Sequence, residues 1–346
     1  MNVHRWILPG VAAALVAGAA HGRLSATPTP PGRAGLVQLT EAAVPADDLP
    51  VLQVHRYKMA GRIRPLLFWI GRDDVGLGEI VWRGAGGAVA YELLIGTDAS
   101  KAPRGINRWG YILEDTRPSG TRVLGLITTS EEATLSDVRR QMDAGQRRGR
   151  FKAIDARIAS GISRSATETI ETDRDLTVHD KAILVRQVED RLSSVPPKET
   201  PVPSGVRPGF LSAVAELMTN TISARQAGAA ALRRMKGRTL PYVYGRNIFD
   251  LALTGVESIP PPAATSGPNA WPVRASFEIR SRKTGARYTF ELEYGTEGAL
   301  AGVPTLIQYQ PRWWLQAKLT LNDGATPASG AVTDPMSARA ATAPLR

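Results

Sequence analysis

Cysteine is absent from this 346-residue chain. That excludes disulfides, thiolate catalysis, cysteine-bound zinc or iron–sulfur centres and the lipidated cysteine of a bacterial lipoprotein. Histidine is almost as scarce, with only His4, His21, His55 and His179. Two of these fall in a leader-like segment, so no metal site and no other cofactor is expected. Long hydrophobic runs are missing as well. The apolar stretch Trp6–Ala20 covers about 22 Å as a helix, short of the ~30 Å hydrocarbon core of a bilayer.

Catalytic and nucleotide motifs are missing too. The phosphate loop G-x-x-x-x-G-K-[ST] needs a Gly-Lys pair, and none occurs. Gly84-Ala85-Gly86 has Val89 where the dinucleotide fingerprint needs its third glycine, and a strand follows instead of a helix. Gly161-Ile162-Ser163-Arg164-Ser165 fails the nucleophile elbow at its last position. The carboxylate pairs Asp73/Asp74, Glu114/Asp115, Asp173/Asp175 and Glu291/Glu293 are not assigned to catalysis; Asp73-Asp74 reads as turn residues and Glu291/Glu293 as the wet face of a strand. No catalytic residue is assigned.

What is present is ordinary globular composition, 43% hydrophobic and 22% charged, with a net charge of +11. Residues 1–22 have a charged start at Arg5, a short apolar run and small residues at Ala20 and Gly22. This is the three-part pattern of a secretory signal peptide, so export to the periplasm or the exterior is expected, with cleavage near Gly22-Arg23. Residues 23–49 read as a disordered linker, 50–195 as a β-rich α+β region and 196–207 as a proline-rich linker. A helix followed by antiparallel β structure is expected over 208–322, and a disordered tail over 323–346.

Short segments rich in β-branched and aromatic residues recur from Val51 to Thr128, separated by clusters such as Gly71-Arg72-Asp73-Asp74 and Pro118-Ser119-Gly120. Three helices interrupt the β pattern. The first covers Ser130–Gly145. The second follows the capping box Thr177–Asp180, with Leu184, Val188 and Leu192 on one stripe. The third carries Leu211, Val214, Met218 and Ile222. Phe151–Asp175 favours two strands turning at Ser160-Gly161. Tyr242–Leu253 reads as one strand, and Phe277–Tyr294 as a hairpin with a two-residue Thr284-Gly285 loop. The expected fold is α+β and β-rich: antiparallel meander sheets, forming one curved sheet or an open barrel, packed against three amphipathic helices.

Two surfaces stand out. Trp109, Tyr111, Arg312 and Trp314 set aromatic rings beside arginines on strands and are candidates for ligand binding. Arg233, Arg234, Lys236 and Arg238 form the densest basic cluster of residues 196–346 and are candidates for contact with an anionic surface. The expectation is an exported, envelope-associated, non-catalytic binding protein for an apolar or lipid-like ligand. A basic adaptor for anionic membranes or cell-wall polymers is the alternative, and a secreted hydrolase with an unseen site is the third reading. Nucleic acid is not an expected partner.

Overall fold

The computed structural model describes residues 48–63, 70–102, 107–128, 150–172, 176–259, 272–312 and 315–322. The signal-like segment, the helix expected over Ser130–Gly145, residues 23–47 and the tail beyond 322 lie outside the described residues, as does Trp314.

The first eight strands are β1 (Val51–Ile63), β2 (Ile70–Ala85), β3 (Ala88–Thr97), β4 (Trp109–Arg117), β5 (Gly120–Thr128), β6 (Arg150–Ala159), β7 (Ile162–Glu171) and β8 (Lys198–Pro201). Helix α1 (Lys181–Ser193) separates β7 from β8, and α2 (Phe210–Gln226) and α3 (Ala229–Arg234) follow β8. Among the described residues six more strands follow: β9 (Thr239–Tyr244), β10 (Asn247–Ser258), β11 (Val273–Ser281), β12 (Arg287–Tyr294), β13 (Pro304–Arg312) and β14 (Leu315–Leu321). All fourteen belong to one antiparallel sheet. Two meanders, β1 to β8 and β9 to β14, join where the first and last strands pair, from Tyr57↔Leu321 to Ile63↔Leu315.

The regions read from sequence as 50–195 and 208–322 therefore share a single sheet. The linker expected between them is instead structural. Lys198–Pro201 pairs with β7 as an edge strand, where prolines without a donor are tolerated. The chain then leaves β8 and laces the two edges of the sheet together. Val202 N donates to Gly161 O (2.8 Å), Arg207 N to Pro241 O (2.8 Å), and Val243 N to Arg207 O (2.9 Å). Ser163 Oγ on β7 donates to Gly245 O in the β9–β10 turn (2.7 Å). Among the described residues no ladder joins β8 to β9, so the sheet is open but its edges meet at this seam.

Other expectations change in detail. Asp48 and Leu49, placed in the leading linker, are held: Asp48 pairs with Arg117 (2.7 Å) and Leu49 is buried. Gly71–Asp74 is not a turn but lies within β2. The register slips there, Met59 facing Gly76 and Gly61 facing Arg72, and Asp74 adopts φ 55°. Tyr242–Leu253 divides at Gly245, whose φ of 61° lets β9 turn back on β10. The β11–β12 loop is longer than two residues: Gly285 N donates to Ser281 O and Ser281 N to Ala286 O. Parity survives, so Phe277 faces Phe290 on the buried side. The strands β6 and β7 do turn at Ser160-Gly161. Thr177 and Asp180 close their capping box around a 3-10 turn, with α1 following.

Two cores result from the alternation of strand side chains. On β4, Ile112 joins the core that contains α2 and both meanders. Trp109, Tyr111 and Leu113 face the other way, into a second core with Leu184, Val188 and Leu192 of α1. Central strands β3 to β6 are thus buried on both faces.

Candidate functional site

Helix α2 has apolar residues on most of its circumference, so it must bury more than one face. Phe210, Ala213 and Leu217 are buried in the main core, with Phe210 set against Tyr242 at 5.7 Å between ring centroids. The hydroxyls of Thr221 and Tyr294 are hydrogen-bonded in the same interior. Burial pushes the Tyr294 phenol up to about 12.

The other stripe, Leu211, Val214, Met218 and Ile222, faces a cavity of about 310 Å³. Its opposite walls come from both meanders. Ile80 and Trp82 of β2 and Tyr91, Leu93 and Ile95 of β3 form one side, and Phe290, Leu292, Pro304 and Ile307 of β12 and β13 the other. Ala301 and Gly302 border it beside Ile222. Among the described residues that line the cavity, none is lysine or arginine. The one acid, Glu92, holds its carboxylate on the second-core face, where it accepts from Arg83 Nε (2.8 Å) and Tyr111 Oη (2.9 Å).

The position of α2 is set by a carboxylate from distant sequence. Glu114 of β4 is fully buried. Its oxygens accept from Leu211 N (2.6 Å), Ser212 N (2.8 Å) and Ser212 Oγ (2.8 Å). These are the amides that a helix N-terminus leaves unpaired, and the positive end of the helix dipole favours the charge. Gly209 precedes the helix because a Cβ there would collide with the Glu114 carboxylate. Desolvation raises the Glu114 pKa, opposed by these same donors. Around it, the Tyr242 and Tyr244 hydroxyls are buried without a hydrogen-bond partner, and burial drives both phenols well above their ordinary value.

Trp109 and Tyr111, singled out in sequence, do not line this cavity. Trp109 is buried in the second core, donating from Nε1 to Leu176 O (3.1 Å) and meeting Phe151 edge-on at 5.3 Å. Tyr111 is buried beside it, with Lys181 Nζ 5.3 Å from its ring centre. Both are satisfied core residues, so the reading of Trp109 and Tyr111 as ligand contacts is corrected. Arg312 closes β13, opposite Leu315 in the ladder with β14. The cavity aromatics Trp82 and Tyr91, 6.4 Å apart and edge to face, were not singled out. The available signal was the second apolar stripe of α2, which needed a surface to face.

The basic candidates are placed at the end of α3. Leu232 and Met235 anchor this segment in the interior, while Arg233, Arg234, Lys236 and Arg238 are exposed. None of the four forms an ion pair within 4 Å among the described residues. Neighbouring Glu216 is taken by Arg207, which holds its carboxyl below the ordinary range, with Arg238 contributing less. His55 is bonded to Gln53 (3.1 Å) and lies edge-on to Trp82, and His179 Nε2 meets Asp98 (3.3 Å).

No family model matches the chain, and no curated protein matches it. A crystal structure of a beta-barrel-like protein of domain of unknown function DUF1849 from Brucella abortus aligns with 78% of this chain and 95% of its own. The identity is 10% and the TM-score 0.33, a similarity too distant to assign a ligand or an activity.

Proposed function

We propose that the chain is an exported, envelope-associated binding protein that holds an apolar, lipid-like ligand between α2 and the sheet. The observation that supports this reading is the cavity itself. Its volume falls in the range of small-molecule sites. Its walls are aliphatic and aromatic, and a whole helical stripe is given over to it. An apolar chain entering it would gain roughly 0.8 kcal/mol per buried methylene.

The test is direct binding of a neutral fluorescent probe, N-phenylnaphthylamine, to the purified protein. Enhanced, saturable fluorescence is expected, and Ala215→Trp, which fills the cavity, should abolish it while the fold persists. Unchanged probe binding in that variant would sink the reading. Export is tested separately: protein recovered from its native host should begin near Arg23.

A second reading, attachment to an anionic surface, is supported by the four exposed cations after α3. Near an anionic membrane each is worth roughly 1 kcal/mol, so together about 4 kcal/mol before ordering costs. Replacing Arg233, Arg234, Lys236 and Arg238 by Gln should weaken co-sedimentation with anionic vesicles at least tenfold. Wild-type binding that is absent or insensitive to salt would remove this reading.

A further inference from the structure

We infer that the cavity selects an uncharged single-chain acyl lipid, ester- or amide-linked, whose carbonyl accepts a hydrogen bond from the Tyr91 hydroxyl. This rests on the apolar-ligand reading above and adds the chemistry of the ligand's polar end.

Tyr91 lines the cavity and is half-buried, and its hydroxyl is not among the buried polar atoms of the described residues, so it is open to a group that enters. Its ring is located by Trp82 and by the strand register, which places Tyr91 directly across from Glu114. That carboxylate is occupied by Leu211 and Ser212 at the start of α2, so it is not the acceptor Tyr91 needs. A phenol hydroxyl at the wall of an apolar site offers a directed donor to a group that enters it. Partial burial and the neighbouring Glu114 both favour the protonated phenol, which keeps it a donor. The complementary group on a ligand is therefore an acceptor.

Charge narrows the choice. An ionised carboxylate carried into this cavity would meet no lysine or arginine among its described lining residues and would approach Glu114. An unpaired charge in such surroundings is strongly disfavoured. An ester or amide carbonyl supplies the acceptor without that penalty. Shape narrows it further. From Leu211 to Ile222 the cavity follows α2 for about 16 Å at 1.5 Å per residue. With a volume of about 310 Å³ it lies at the small end of ligand sites, which fits one chain laid along the helix.

The experiment is competition against bound N-phenylnaphthylamine, using the purified protein at mildly alkaline pH. Three competitors share one chain length: glycerol monododecanoate, its dodecyl glyceryl ether analogue without the carbonyl, and dodecanoate. The ester should bind five- to tenfold more tightly than the ether and at least tenfold more tightly than dodecanoate. Tyr91→Phe should erase the ester–ether difference, and an unchanged far-ultraviolet circular dichroism spectrum and melting temperature certify its fold. If that variant does not fold, the ester–ether comparison on wild-type protein decides alone. Equal binding of ester and ether, equal binding of ester and dodecanoate, or a preference that survives Tyr91→Phe would each overturn the inference with the apolar-ligand reading intact. A wild-type protein that does not take up the probe would overturn both.

Discussion

Glu114 shows how a single side chain can carry information that its neighbourhood in sequence does not. It follows Leu113 and precedes Asp115, and nothing in that local sequence marks it as the anchor of a helix. In the fold it receives three donors from residues about a hundred positions away, and it is the anchor of α2. Removing it leaves two amides and a hydroxyl of the half-buried Leu211 and Ser212 without their acceptor, at up to about 1–3 kcal/mol for each unsatisfied group. Glu114→Ala should therefore lower the unfolding free energy by at least ~2 kcal/mol in a urea titration, and a loss within ±0.5 kcal/mol would show that α2 is held some other way. The same group predicts a pH dependence. Its folded pKa is raised by desolvation above its unfolded value. Its contribution is thus fully present below the ordinary carboxylate range and declines as pH rises through the folded pKa. Relative to Glu114→Gln, the wild type should lose stability as pH rises above the ordinary carboxylate range. Parallel stability profiles for the two proteins would contradict this assignment.

Helices and strands were legible to different degrees, for reasons that can be traced to particular segments. Alternation located β11 and β12, because Phe277, Ile279, Phe290 and Leu292 are buried and Glu278, Arg280, Glu291 and Glu293 are not. Residues 196–207 were misread because proline content reports missing donors and says nothing of acceptors. An edge strand and a seam use the carbonyls of Gly161, Pro241 and Arg207 and tolerate the prolines. Trp109 and Tyr111 misled because their arginine neighbours are adjacent in sequence, whereas their partners, Leu176 and Glu92, come from other elements. The stripe on α2 was read correctly as apolar, but sequence cannot distinguish a face packed on side chains from one packed on empty space. Substitution can make that distinction. Leu217 is fully buried in the main core, so Leu217→Ala should cost about 2–5 kcal/mol. Val214→Phe projects into the cavity and should cost far less, yet block the probe. Thermal melts of the two variants, run beside probe titrations, check the contrast; equal destabilisation would place both residues in packed core.

At the scale of the whole molecule, the sheet is open in its hydrogen bonding and continuous in its core. The two meanders touch through the β1–β14 ladder, through the seam at Arg207, and across the cavity, whose walls each contributes. Helix α2 lies between them and is anchored to β4 by Glu114. Neither meander retains its buried surface if the other unfolds, since Tyr57, Met59 and Ile112 share a core with Tyr242, Phe277 and Leu319. A single cooperative transition is expected despite the chain's length. A ligand in the cavity contacts both meanders and the helix, so it should stabilise that one transition and not split it. At a free concentration a hundredfold above its dissociation constant the gain is about 2.7 kcal/mol. The measurement is scanning calorimetry with and without glycerol monododecanoate, followed in parallel by near-ultraviolet circular dichroism. One transition that moves upward as a whole is the expected result. Two transitions, of which only one responds to ligand, would mean that the meanders are independent units and that the cavity belongs to one of them.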